Sequence, residues 1–294
     1  MIDPSARRAG CGLLTLWPAG LVLVLAHAEM PSVTTPVFVV LDVIYVLCAV
    51  VLVQRLAPTA EPAATTFVLA GIGLFAVCGF TGGPTARDPE AMMVNTAVLL
   101  VTSVALLTGA VGFLLQHRRS ASIGTAVQAV VLFAIGTCGF CLNLIARFAI
   151  VLTGADRQQL AVEDTHWMAS RYLRGLDGPV DFVGYTLVWL DLVQLAYIVT
   201  AYLAAAALSR LATAEAGVLR RTGVVLTRTG YGLAAALSAG AVLAVVMPRS
   251  VDEFPAIVAF VISIPFMATL VPFALGVAVL TTAGHRARQT QELK

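Results

Sequence analysis

Long apolar stretches alternate with short polar breaks along the whole chain. The stretches cover residues 11–29, 36–53, 65–82, 92–115, 122–148, 179–208, 222–247 and 255–283, the fifth with room to run on to Thr153. Polar clusters stop them, among them Gln54-Arg55, Gln116-His117-Arg118-Arg119, Ser209-Arg210 and His285-Arg286-Ala287-Arg288. A helix rises ~1.5 Å per residue, so crossing a hydrocarbon layer of ~30 Å takes about 20 mostly apolar residues. Every stretch approaches or exceeds that length. The expectation is an all-α, polytopic transmembrane bundle of about eight spans, a single integral membrane domain over residues 1–294.

The placement of cations tests that count, because Lys and Arg are retained on the cytoplasmic side of a membrane. With the N-terminus inside, the inner segments hold Arg7, Arg8, Arg55, Arg118, Arg119, Arg210, Arg220, Arg221, Arg286, Arg288 and Lys294. The outer segments hold Arg87, Arg157, Arg171, Arg174 and Arg249. Every inner segment carries at least one cation, and the acidic residues lean the other way. A miscounted span would scramble this alternation. Eight spans with both termini in the cytoplasm is the topology expected.

Two segments have a second reading. Arg7-Arg8, an apolar stretch and Ala26-His27-Ala28 resemble a secretory signal with a small-residue cleavage site. Pro18 interrupts that stretch, and a retained first span is the preferred reading. The longest loop, 154–178, lies outside, and in it Met168, Tyr172 and Leu176 recur every four residues. Trp167 and Leu173 flank them, while Arg171 and Arg174 face away, which suits a short helix lying in the membrane interface. With His166 and Trp167 it would be a lid over an outward cavity, or a plain connection across the gap between two spans.

A weak internal likeness pairs the second span with the sixth and the third with the seventh. Val40-Leu41-Asp42 matches Trp189-Leu190-Asp191 in register, and Gly71-Ile72-Gly73 matches Gly230-Tyr231-Gly232. Offsets near half the chain would give a 4+4 parallel repeat. Such short matches also arise freely in text made of Ala, Val, Leu and Gly.

Composition agrees with the membrane reading and adds a source. Hydrophobic residues make up 59% of the 294 and charged ones 12%, half of the roughly 25% of soluble domains. All basic residues except Lys294 are Arg, and Ala and Gly abound, which points to a GC-rich bacterial genome and so to a bacterial cytoplasmic membrane. Basic residues flank span ends without interleaved aromatics, so nucleic acid is not an expected partner. The lipid bilayer is one, with a small solute, a membrane protein or a second copy of the chain as further candidates.

Ionisable groups inside the hydrocarbon point most directly to function, since each costs ~2.5–3.5 kcal/mol on insertion scales and faces the bundle interior with a partner. Asp191 is the deepest, twelve residues past Pro179 and nineteen before Arg210. Asp42 lies about two turns inside the outer end of its span. Arg147 is one turn beyond Asn143, and Gln128 and Gln194 add neutral polar groups. Convergence of Asp42, Asn143, Arg147 and Asp191 would make an outward-facing polar cavity, in which a carboxylate could take up and release a proton. A structural Asp–Arg bridge that orders the helices is the alternative. Arg228 fits a residue snorkelling to the inner surface. Trp189 and Tyr197 could line a site or serve packing, and Gly232, Ala236 and Gly240 make a small-residue face for close helix contact.

Other chemistry finds little support. Cys138-Gly139-Phe140-Cys141 has redox spacing, but no second such pair exists to relay electrons. The four histidines scatter over both faces, so neither a metal nor a cofactor is expected. No His-Glu-x-x-His, Gly-x-Ser-x-Gly or phosphate-binding loop occurs. The function expected is transport of a small solute, with proton coupling through Asp191 and Asp42. A non-catalytic subunit or sensor of an envelope complex is the second reading, and an envelope enzyme acting on a lipid-linked substrate the third.

Overall fold

The computed structural model describes residues 4–29, 35–56, 62–81, 89–117, 122–153, 182–213, 218–246 and 268–292. Among them are eight α-helices and no strand: α1 (Pro4–Glu29), α2 (Thr35–Leu56), α3 (Pro62–Thr81), α4 (Pro89–His117), α5 (Ile123–Thr153), α6 (Phe182–Thr213), α7 (Val218–Val246) and α8 (Leu270–Glu292). Helices are what a lipid solvent demands, because only there does a segment satisfy its own backbone hydrogen bonds. Proline opens α1, α3 and α4, and follows Thr35 at the start of α2. Its missing N–H is an orphan donor at that position anyway.

Five stretches are long and apolar enough to cross a membrane: Pro4–Ala26, Pro36–Leu56, Ala97–Gln116, Ile123–Ala146 and Leu192–Thr213. Pro62–Ala76 and Leu270–Thr282 are shorter apolar helices. Helix ends and the ends of the apolar runs do not coincide. α1 begins at Pro4 and takes in Arg7 and Arg8, and α8 runs on through His285, Arg286 and Arg288 to Glu292. Nothing in those polar turns breaks a helix, so the backbone continues where the apolar text stops. The first half of the expected eighth span and the whole of loop 154–178, with its interfacial helix, lie outside the described residues.

Each helix packs on its neighbour in sequence, and α8 closes the bundle against α1, α3 and α7, with smaller contacts to α6 and α2. α8 is enclosed almost all round: Val271, Phe273, Leu275, Val277, Val279 and Leu280 are all buried. α6 is enclosed over its second half, where the run Ala204–Leu208 is buried without a break. Small side chains on every face let three neighbours approach one helix.

α2 is the opposite case. It buries only a narrow stripe, while Val37, Val40, Leu41, Val43, Ile44, Leu47, Val50 and Val51 are all exposed. On a water-soluble protein this would be an apolar patch beyond what monomers tolerate. In hydrocarbon it is an ordinary solvated surface. The protein has the build of a membrane-embedded bundle.

Aromatic side chains fill the centre. Phe67 on α3 stacks on Phe113 at 5.5 Å and meets Phe133 at 6.3 Å, tying α3 to α4 and α5. Trp17 on α1 meets the ring of Phe75 edge-on at 5.5 Å, and its indole Nε1 donates to Thr269 Oγ1, in the turn leading into α8, at 3.1 Å. α1 therefore packs as a full member of the bundle.

One packing expectation is corrected. Of its three residues Gly240 is buried, but Gly232 has nothing within 4 Å of where a Cβ would stand, and Ala236 is exposed. The tight crossing of α7 on α6 runs instead along Gly223 and Gly230. A Cβ at Gly223 would lie 2.9 Å from the Ser209 carbonyl oxygen, and one at Gly230 would lie 2.9 Å from Ala206 Cβ. Two faces of α7 carry small residues, and the alanines of α6 select between them. The paired glycines of the internal likeness also face different partners, Gly71 against Phe273 of α8 and Gly230 against α6.

Candidate functional site

Five of the eight buried polar side chains among the described residues fall in two separate seams. The first joins α4, α5 and α6. Ser103 Oγ lies 2.9 Å from the Leu99 carbonyl oxygen and 3.0 Å from Tyr197 Oη. Ser103 has one hydroxyl proton, so the consistent pattern has it donating to the carbonyl while Tyr197 donates to Ser103. The Tyr197 ring stacks on Phe140 at 4.2 Å and 5°. Thr137 Oγ1 adds a long contact of 3.5 Å to the Ser103 carbonyl. Further along the seam, Asn143 is fully buried and its Nδ2 donates to the Leu190 carbonyl oxygen. Gln194, one turn beyond Leu190, is buried as well.

Two of the residues singled out in the sequence adjoin this seam. Asp191 follows Leu190 directly, and Arg147 is one turn beyond Asn143, so their backbones flank the Asn143 hydrogen bond. Their side chains lie outside the described residues, as do His166, Trp167, Arg171 and Arg174 entirely. Tyr197 serves packing and the Ser103 hydrogen bond, Trp189 is exposed, and Gln128 and Arg228 are exposed too. Cys138 and Cys141 are free thiols, the first exposed and the second half-buried.

The second seam lies on α2, whose long contacts are with α1 and α3. Its buried stripe reads Phe38, Asp42, Tyr45, Ala49 and Leu56, spaced to keep one helical face. Asp42 is 0% exposed, and among the described residues neither of its carboxyl oxygens has a hydrogen-bond partner. Tyr45, one turn along, likewise has a buried hydroxyl without one. Gly20 of α1 makes room for that hydroxyl, since a Cβ there would stand 2.9 Å from it. Asp42 sits seven residues into α2, about 10 Å from the helix start. Asn143 and Asp42 thus occupy different seams, one on α5–α6 and the other on α1–α2–α3.

No family model matches this chain, and no curated protein and no solved structure is similar to it. The reading of the site therefore rests on its chemistry.

The two seams differ in kind. Around Ser103, Thr137 and Tyr197 the hydrogen-bonding groups answer one another across three helices, which makes a specific lock between them. Around Asp42, three oxygen atoms on a single turn answer nothing among the described residues. Leaving a buried polar group unsatisfied costs about 1–3 kcal/mol, more when it is charged. Sequence reasoning placed Asp42 but passed over Tyr45, whose three-residue spacing from Asp42 was the available signal. Ser103 and Thr137 were missed as well, because a hydroxyl in an apolar helix commonly bonds its own backbone.

Proposed function

We propose that the protein is a permease of a bacterial cytoplasmic membrane, moving a small solute with the help of a coupling ion, through an eight-span bundle with both ends inside. The observation that carries this reading is Asp42: an ionisable side chain enclosed within an apolar helical bundle, with no group among the described residues to answer its oxygens. Structural carboxylates in membranes come with a partner, whereas a carrier must leave its ionisable group free to change state. Asp191 and Arg147, beside the Asn143 contact, are the second pair of candidate coupling groups.

The test is a solute screen in vesicles reconstituted with the purified chain, with and without an imposed proton gradient. One solute class should enter faster under the gradient. Asp42→Asn and Asp191→Asn should each remove that acceleration. Uptake that persists with unchanged pH dependence in both variants would show that neither aspartate couples.

The closed seam of Ser103, Tyr197 and Asn143 favours a second reading, a non-catalytic membrane subunit, because satisfied polar locks suit a static scaffold. Vesicles that move no solute, together with stable co-purification of one membrane protein, would support it.

A further inference from the structure

We infer that Asp42 and Tyr45 form a proton-binding site, with Asp42 carrying one proton while α2 is seated on α1 and α3. This deepens the permease reading by naming its coupling ion and one of its groups.

The burial of Asp42 comes first. Its side chain is fully enclosed, and both its oxygens lack a donor among the described residues. A bare carboxylate in that position would forgo water without receiving any hydrogen bond or cation in return, a penalty of several kcal/mol. The neutral acid keeps the same shape at far smaller cost. The closed bundle therefore fits the acid.

Among the described residues the oxygens are too few for a divalent cation. Calcium takes 6–8 oxygen ligands and magnesium six. Here the orphaned atoms are Asp42 Oδ1 and Oδ2 and Tyr45 Oη, all on one turn of one helix. Their neighbours along the stripe are Phe38 and Ala49, and Phe75 stands across from Gly20. No group of three His, Cys, Asp or Glu able to hold a metal exists among the described residues. A proton needs one oxygen, and Asp42 supplies it.

The surroundings hold few other charges. On α2 itself, Cys48 and Arg55 are exposed, toward the far end from Asp42. On α1, Arg7, Arg8 and Cys11 are exposed near the Pro4 end, which is also remote. The side chains of His27 and Glu29 on α1 and of Cys78 on α3 lie outside the described residues, and α8 has no titratable residue before His285. Tyr45, one turn along the same stripe, lies within electrostatic reach of Asp42. Access for the proton falls to α2, which buries only a narrow stripe.

Infrared difference spectroscopy on the full chain in lipid tests this directly. The spectrum of the unmutated chain minus that of Asp42→Asn should contain the carbonyl stretch of a protonated carboxyl at neutral pH. That band should fade as pH rises, and sodium at fixed pH should leave it unchanged. Carboxyl-carbon isotope labelling of aspartate in the unmutated chain shifts the same band and requires no variant to fold. Asp191→Asn should leave the band in place, and Tyr45→Phe should move its frequency. Absence of an isotope-shifted carboxyl band throughout the physiological pH range would overturn the site, and so would its displacement by sodium. An unmoved band in Tyr45→Phe would remove Tyr45 from it. Because no solute is involved, a band that behaves as expected in vesicles that transport nothing would sink the permease reading alone.

Discussion

Gly20→Ala should loosen the joint between α1, α2 and α3, and a second glycine supplies the control. A methyl carbon at position 20 would stand 2.6 Å from Phe75 Cγ, 2.9 Å from Phe75 Cβ and 2.9 Å from Tyr45 Oη. Carbon atoms in contact settle at ~3.5–4.0 Å, so α1 must retreat by about 1 Å or the Phe75 ring must turn. Overpacking of this kind costs about 1–3 kcal/mol. Trp17 lies one turn away on the same helix, and its edge contact with Phe75, worth about 0.5–1.5 kcal/mol, is disturbed by either response. The sum is about 1.5–4.5 kcal/mol. Gly73→Ala adds the same methyl where nothing lies within 4 Å, and it makes the same change in helix propensity. Thermal unfolding of both variants in one detergent, followed by helicity and by tryptophan emission, measures the difference. Gly20→Ala should melt well below Gly73→Ala, at about 2 °C or more per kcal/mol. Equal midpoints would refute the close approach of α1 to Phe75 and Tyr45.

Two further predictions probe other joints of the bundle. Gly223→Ala places a Cβ 2.9 Å from the Ser209 carbonyl oxygen and 3.0 Å from Thr213 N, both backbone atoms that cannot turn aside. The α6–α7 crossing should open at a cost of about 3 kcal/mol or less, seen as faster amide exchange in both helices. Tyr197→Phe keeps the stack on Phe140 but removes the hydroxyl that meets Ser103. Stability should fall by about 0.5–1.5 kcal/mol in chemical unfolding, and the double variant with Ser103→Ala should lose less than the two single losses added, because both changes delete the same hydrogen bond.

Much of the architecture follows from the sequence alone. Apolar runs of about 20 residues between charged breaks leave a chain no alternative to helices in lipid, because no other open structure closes its own hydrogen bonds there. Runs of that length fall within the described α1, α2, α4, α5 and α6. Where α1 and α8 extend past the apolar text, the sequence pattern marked the end of the apolar run and not the end of the helix.

The faces were decided elsewhere. Apart from Asp42, α2 is apolar on every side through its middle, so no hydrophobic period marks Phe38, Tyr45 and Ala49 as the rest of the stripe that turns inward. In water the contrast between core and solvent writes that choice into the sequence as a period. In a bilayer, lipid tails are as apolar as leucine, and the orientation of a helix is settled by fit to its neighbours. Asp42 could be found in the sequence as a polar group out of place. That it keeps company with Tyr45 opposite Gly20, while Asn143 reaches for Leu190 in another seam, was decided only when the helices packed.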